Sequence, residues 1–210
     1  MTNLFRNTLM VAGAASFMVA APAAAKIETG SAVPAMTVVD SNGTTHNLSD
    51  FAGSTVVLEW TNHDCPYVMK HYNTSYDGGN MQNLQKAAAT DGVIWLSVIS
   101  SAPGKQGYVT GEEANALTAK RDAAPAAVIL DPEGVKGKTF SAKTTPHMYI
   151  INADRTLVYQ GAIDDNPSAN PDTIKGAKNY VTAALDAVKA GQNVAIGETT
   201  PYGCSVKYGS

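Results

Sequence analysis

An apolar segment that runs almost directly into a cysteine and a proline constrains this chain more than any other part of its sequence. Residues 55–60, which read TVVLEW, begin with β-branched side chains and predict a short buried strand. Cys65 and Pro66 follow after a brief polar connection. Proline is well placed in the first turn of a helix, where its missing N–H breaks no hydrogen bond. The chain therefore places Cys65 where a core strand turns into a helix.

The other segments alternate between strand and helix patterns. Apolar runs predict further strands at residues 93–99, 126–130, 147–151 and 156–160. Besides the helix opened by Pro66, helical patterns run through Met81, Leu84 and Ala88 and over residues 110–123 and 171–190. Asn42-Gly43 between two short alternating runs predicts a β-hairpin ahead of them. This order predicts an α/β fold with a central mixed sheet flanked by helices and an N-terminal β-hairpin extension.

Residues 1–25 have the pattern of a secretory signal peptide. Arg6 is their single charge, and the apolar run that follows is too short to span a bilayer. Three alanines close the segment and supply the small side chains that signal peptidase needs; an uncleaved anchor is the alternative. We therefore expect cleavage after Ala25, a folded domain over residues 26–190 and an extended tail over residues 191–210.

The charge pattern narrows the choice of partners. The chain has 15 basic and 18 acidic residues, a formal net charge of −3, and its lysines and arginines are scattered. A nucleic-acid-binding protein concentrates basic residues on one surface, so no nucleic-acid partner is expected. No other apolar run approaches membrane-spanning length, and we expect no membrane attachment after signal cleavage. The predicted location is periplasmic or secreted.

Two cysteines, Cys65 and Cys204, are present. An oxidising compartment permits a disulfide between them. Cys204 follows Gly203, a residue that lets a tail fold tightly against a domain. Three arrangements are open: a pair that cycles between thiols and disulfide, a permanent staple, and two cysteines too far apart to meet. A staple closing so long a loop contributes about 4–5 kcal/mol by the chain-entropy argument.

The strand order, with a cysteine after the first core strand and a proline opening a later strand, resembles the thioredoxin fold. Residues 30–34 and 48–53, GSAVP and LSDFAG, look like the start of redoxin domains. These domains include peroxiredoxins of the alkyl hydroperoxide reductase/thiol-specific antioxidant group and the periplasmic cytochrome-maturation thioredoxins. Thr145-Pro146 sits where this superfamily places its cis-proline, beside the active cysteine. The resemblance covers residues 28–190 and implies a thioredoxin-like, peroxiredoxin-like protein.

The cysteine motif differs from both parent motifs. Thioredoxins carry Cys-x-x-Cys, whereas Val68 takes the place of the second cysteine here. Peroxiredoxins carry Pro-x-x-x-Thr-x-x-Cys, whereas Leu58 and Asn62 replace the proline and the threonine. The sequence is most similar to a peroxiredoxin-like subgroup whose single motif cysteine matches the first thioredoxin cysteine. The missing residues argue against efficient peroxide reduction.

A cysteine at a helix N-terminus faces unpaired N–H groups and the positive end of the helix dipole, which favour the thiolate. Lys70, His63 and His71 lie nearby in sequence and add positive charge, while Asp64 opposes them. The alternative is that Cys65 is a small, buried apolar residue without reactivity. We expect Cys65 to be the nucleophile. A thiolate that has attacked must be resolved, and Cys204 is the other thiol in the chain.

The resemblance also implies which residues shape the site around Cys65. Pro66 opens its helix, and the backbone at Thr145 and Pro146 lies against the cysteine, where it can pair with an extended substrate. His147 follows the proline and is expected to approach Cys65. The alternative is a strand-opening proline with His147 at the surface.

A soft-metal site is a competing interpretation. Sulfur and imidazole ligands suit copper, and the candidates are His63, Cys65, Met69, His71, His147 and Met148. Thioredoxin-like copper carriers normally present two cysteines in one motif, so we expect no metal and no cofactor.

The sequence thus favours a periplasmic thiol-based oxidoreductase of antioxidant type. Cys65 is the expected nucleophile and Cys204 its possible resolver, with a peroxide or a protein disulfide or thiol as substrate and an unidentified reductant. The alternative is a non-catalytic binding protein for copper or a protein partner.

Overall fold

A computed structural model describes residues 26–209; the predicted signal peptide lies outside the described residues. The strands are β1 (Thr37–Val39), β2 (Thr45–Asn47), β3 (Val56–Trp60), β4 (Ile94–Ile99), β5 (Ala127–Leu130), β6 (Thr144–Thr145), β7 (His147–Ile151), β8 (Leu157–Gly161) and β9 (Cys204–Ser205). The helices are α1 (Pro66–His71), α2 (Asn80–Thr90), α3 (Gly111–Lys120), α4 (Val135–Thr139) and α5 (Tyr180–Lys189). In the described part of the chain, no helix is long and apolar enough to cross a membrane.

Five strands form the central sheet, in the order β5-β4-β3-β7-β8. The β3-β4 and β4-β5 pairs are parallel, whereas β3-β7 and β7-β8 are antiparallel. The mixed sheet of an α/β fold is therefore confirmed, with the late hairpin at one edge. β3 is the middle strand and is buried along its whole length, so the turn that carries Cys65 starts from the centre of the domain.

Both faces of the sheet are covered. Side chains alternate along β3, with Val57 on one face and Leu58 on the other. The Val57 face is covered by α2 and α5, whose apolar residues pack in the same cluster. The Leu58 face is covered by the β1-β2 hairpin and by Phe140, which ends α4. The predicted N-terminal hairpin is confirmed, and Gly43 closes its turn with φ of +79°.

The last helix is shorter than the sequence pattern predicts. Residues 171–190 do not form one helix: a 3-10 turn covers Pro171–Ile174, and α5 starts only at Tyr180. Gly176 has φ of +85°, which ends the first turn. Asn179 accepts a hydrogen bond from the Thr182 N–H and caps the new helix. The short elements α4, β6 and β9 carry no periodic signal and were not predicted.

Residues 191–209 are largely extended and pack along the domain. The Thr199 hydroxyl accepts from the Ala162 N–H at 2.9 Å. Further along, the Lys207 carbonyl accepts from the Ala102 N–H at 2.9 Å. These contacts fix the tail on both sides of β9.

A buried carboxyl group lies inside the sheet layer that supports α1 and α2. Glu59 of β3 is fully buried and accepts hydrogen bonds from Tyr72 Oη (2.8 Å), Trp95 Nε1 (2.9 Å), Ser97 Oγ (3.1 Å) and Gln85 Nε2 (3.2 Å). Burial raises the pKa of Glu59 above its usual range, and the hydrogen bonds from Trp95, Tyr72 and Ser97 only partly oppose it. The folded protein therefore holds this proton more tightly than the unfolded chain does.

We predict that Glu59 makes the domain less stable as pH rises. A raised folded-state pKa contributes stability below the unfolded value of about 4.3, and this is lost as pH rises through the folded value. Glu59→Gln removes the titration, keeps one acceptor oxygen and offers its amide to the Tyr72 hydroxyl. Urea unfolding at successive pH values should show a flatter decline for this variant than for the wild type.

The exposed Glu133 supplies a matched control, since Glu133→Gln removes a carboxylate at the surface. Its pH profile should follow the wild type. Equal slopes for Glu59→Gln and the wild type would show that Glu59 does not titrate differently in the folded state.

Candidate functional site

Cys65 is the N-cap residue of α1 and is completely buried. Its carbonyl accepts from the Val68 and Met69 N–H groups at 3.0 and 2.9 Å, and Pro66 occupies the first turn. Asn62 shapes the preceding loop, because its side chain accepts from the Asp64 N–H at 2.9 Å. The predicted strand-to-helix turn is confirmed, with the Cys65 sulfur held at its apex.

The structure brings the two cysteines together. Cys65 Sγ and Cys204 Sγ are 2.6 Å apart, closer than two sulfur atoms that only pack against each other. A disulfide bond has an S–S length of about 2.05 Å, so only a small movement separates the pair from a bridge. The possibility that the cysteines are too far apart to meet is therefore wrong.

The backbone beside the cis-proline holds the tail. The Thr145–Pro146 peptide is cis, as the resemblance implied, and the Thr145 carbonyl oxygen lies 3.1 Å from Cys65 Sγ. β6 pairs antiparallel with β9, which sets Thr145 opposite Cys204. The backbone edge expected to receive an extended substrate is thus occupied by the chain's own tail.

Gly203 makes this close approach possible. Its φ is +135°, and a Cβ at this position would overlap the carbonyl group of Thr145. Any other residue must move either the tail or the cis-proline loop. The glycine thus sets the distance between β9 and β6.

Tyr202 anchors the tail in a buried polar cluster, which we call the tail clamp and define as Lys70, His71, Asp164 and Tyr202. The Tyr202 hydroxyl donates to Asp164 and lies 3.2 Å from His71 Nε2 and 3.4 Å from Lys70 Nζ. Lys70 Nζ lies 3.3 Å from Asp164 Oδ2, and the Lys70, His71 and Asp164 side chains are almost fully buried. Because Lys70 and His71 belong to α1, the helix that positions Cys65 also holds the residue next but one to Cys204.

The two thiols differ in acidity. Burial acts to raise the pKa of Cys65, but hydrogen bonds from the Cys204 thiol, the Val68 N–H and Thr145 outweigh it and hold the pKa below its usual value. Burial and the neighbouring Cys65 sulfur raise the pKa of Cys204 to about 11. Cys65 is therefore the more acidic thiol of the pair, and Cys204 is the less acidic one.

His147 does not approach Cys65, and that expectation is wrong. Side chains alternate along β7, so Met148 packs in the cluster that contains Cys65 while His147 lies on the opposite face against the Tyr149 ring. His147 Nδ1 accepts from the Lys143 N–H at 3.3 Å. Burial lowers the pKa of His147 to about 3, so the ring is neutral.

The residues offered for copper do not converge. His71 binds Tyr202 and Asn80, His147 lies across the sheet, and Met69 is 55% exposed. Among residues 26–209, no group of three or more His, Cys, Asp and Glu side chains is arranged to hold a metal ion. The geometry favours thiol chemistry over soft-metal binding.

An open cleft of about 680 Å³ borders the first turn of α1. Its walls include His63, Asp64, Pro66, Met69 and Arg121. It lies beside the loop that carries Cys65, but the buried sulfur itself does not line it.

The tail clamp was missed at the sequence level. Lys70 was noted only as a nearby charge and His71 as a nearby charge or a copper ligand, and Asp164 and Tyr202 were given no role. The usable signal was the position of Tyr202 beside Gly203 and Cys204.

Comparison with known proteins agrees with this geometry. The Redoxin family matches residues 28–180. The chain belongs to the redoxin family. The family match ends before Cys204, so the second thiol of the site lies outside the matched region.

Two solved structures share the redoxin-type fold of this chain. A hypothetical protein from Sinorhizobium meliloti 1021 is 21% identical, with a TM-score of 0.73, covering 89% of this chain and 97% of that one. An uncharacterized conserved protein from Geobacillus kaustophilus is 22% identical, with a TM-score of 0.69, covering 87% and 93%. At this identity they support the fold alone. No curated protein is similar enough in sequence to match.

We predict two separate thiol titrations in the reduced protein. The ultraviolet absorbance of thiolate should show one step below the usual cysteine pKa of about 8.5 and a second well above it. Cys204→Ala should remove the upper step and move the lower one upward, because the hydrogen bond to the Cys65 thiolate is lost. Two overlapping steps near the usual value would contradict the unequal environments of the two sulfurs.

Proposed function

We propose that this redoxin-family protein is a thiol–disulfide oxidoreductase whose redox couple is Cys65 and Cys204. The 2.6 Å separation of the two sulfurs carries the proposal. Closing the bridge releases two electrons to an oxidant, and opening it takes two electrons from thiols. Cys204 supplies the second thiol of the couple, which Val68 cannot provide.

The environment of the pair supports a cycling bridge over an inert staple. A lowered pKa for Cys65 favours its thiolate, which stabilises the reduced form and makes a disulfide easier to reduce. Cys204 is partly exposed, so a reductant can reach the pair. The tail clamp acts in the opposite direction, because it keeps the two sulfurs together and favours closure.

The substrate we propose is a thiol or disulfide. Asn62 accepts the Asp64 N–H and donates to the Gln106 carbonyl, so it builds the loop where peroxiredoxins carry their motif threonine. The site therefore lacks the hydroxyl that peroxiredoxins present to a peroxide. The peroxide remains the second oxidant to be tested.

A periplasmic or extracellular location is also part of the proposal. It is supported by the signal-peptide pattern of residues 1–25.

We predict that both thiols disappear together in a redox titration. The purified protein would be equilibrated in glutathione buffers, quenched with acid, and its free thiols alkylated and counted by mass. We expect a single two-electron transition between about −270 and −120 mV, the range of cycling thioredoxin-like proteins. Either Cys65→Ala or Cys204→Ala should abolish it.

Ser205→Ala is the matched control, because it changes β9 and keeps both cysteines; its midpoint should equal that of the wild type. Thiols that stay free at every potential would exclude the couple. A bridge that opens only below about −300 mV would identify a structural staple.

A further inference from the structure

The two cysteine residues are unequally exposed to solvent. Cys65 is completely buried, whereas Cys204 is partly exposed. Thiol–disulfide exchange requires the attacking sulfur to approach the sulfur it attacks. In the assembled site, an external thiol therefore meets Cys204 first.

Cys65 is covered by the chain itself. On one side, the sulfur faces the Thr145 carbonyl oxygen of the cis-proline loop. Cys204 and Tyr202 of the tail pack in the same cluster, together with Met148 from the sheet. The tail is thus one of the elements that cover Cys65.

Three independent contacts keep that layer in place. β9 pairs with β6, Gly203 fits against the Thr145 carbonyl, and Tyr202 donates to Asp164. None of the three is a bond to a cysteine sulfur. Each of the three is thus a contact that does not require the bridge to be closed.

We propose that external thiols open the Cys65–Cys204 bridge by attacking Cys204, so that Cys65 is the leaving sulfur; this rests on the function proposed above. An external thiolate forms a disulfide bond with Cys204 Sγ, the Cys65–Cys204 bond breaks, and its electron pair goes to Cys65 Sγ. A second external thiolate then attacks the external sulfur and releases the external disulfide. Cys204 leaves as a thiolate and takes up a proton. Two external thiols are oxidised and the bridge is reduced to two thiols.

The acidity of the pair agrees with this direction. A thiol of lower pKa leaves faster in exchange, and Cys65 has the lower pKa of the two. Attack on Cys65 would instead expel Cys204, the poorer leaving group.

The same geometry defines the class of partner. An extended peptide cannot add to the edge of β6, because Cys204–Ser205 already pairs there. The partner must bring its sulfur to the surface at Cys204 without displacing the tail. A small thiol such as glutathione meets this condition, and so does an exposed cysteine on a flexible segment.

The test locates the first adduct. Oxidised protein, with its bridge first verified by thiol count and mass, would receive limiting reduced glutathione and then excess N-ethylmaleimide. Peptide mass spectrometry should place glutathione on Cys204 and maleimide on Cys65, with the Cys204 adduct in about ten-fold excess or more. Glutathione mainly on Cys65 would overturn the proposal. A starting protein without the bridge would instead overturn the proposed redox couple.

The Cys65 thiol lies close enough to displace glutathione from Cys204 and re-form the bridge. Variants that keep only one cysteine cannot do so, and they provide a second test. Reduced Cys65→Ser and Cys204→Ser proteins would be mixed at neutral pH with an aromatic disulfide, and the released thiol followed by absorbance. Burial predicts faster reaction at Cys204, in the Cys65→Ser protein. Faster reaction at Cys65, as its acidity alone would give, would overturn the proposal.

Substitutions of glycine test whether the tail controls access to Cys65, because they leave both cysteines unchanged. Gly203→Ala keeps both cysteines but places a Cβ against the Thr145 carbonyl, so it should lift the tail and shift glutathione toward Cys65. Gly209→Ala is the matched control, since its added Cβ meets only Ala102 Cβ at an ordinary 3.5 Å. Tyr202→Phe, which removes the hydrogen bond to Asp164, should cause a smaller shift in the same direction. Unchanged adduct ratios in both tail variants would show that the tail does not control access.

Discussion

The pairing of β9 with the backbone beside the cis-proline is the interaction on which the rest of the site depends. It sets Cys204 opposite Thr145 and thereby beside Cys65. The participating strands are only two residues long, so the pairing is not stable by itself. It persists because Gly203 allows close backbone contact and because Tyr202 is anchored next to it.

The tail clamp couples this pairing to α1, the helix that Cys65 caps. A buried ion pair costs desolvation energy that is recovered only when further hydrogen bonds satisfy its groups. Lys70 Nζ donates to the Asn166 carbonyl at 2.9 Å as well as to Asp164. The Tyr202 hydroxyl donates a further hydrogen bond to the Asp164 carboxylate. Burial lowers the pKa of His71 to about 4, so this ring adds a neutral partner and no second positive charge. Detaching the tail would leave these buried groups incompletely bonded.

Local patterns in the sequence were sufficient to predict the fold, but not to predict that the tail brings Cys204 to Cys65. Apolar runs and the Cys65-Pro66 dipeptide predict the central strands and the turn, because these are properties of neighbouring residues. Cys204 lies 139 residues from Cys65, and no periodicity encodes that contact. His147 was misplaced because adjacency to the cis-proline says nothing about the face to which a strand residue points. The resemblance to redoxin domains, which ends at residue 190, could not supply the tail.

The order in which the chain is synthesised gives the position of Cys204 a further meaning. Cys65 is made before β4, and Thr145 before β7, whereas Cys204 follows every strand and helix of the central sheet. The surface that Cys204 packs against includes Cys65 and the cis-proline loop. This surface forms only when β3 and β7 have paired. A nascent or partly folded chain thus carries its two thiols apart, and their meeting marks the completion of the domain.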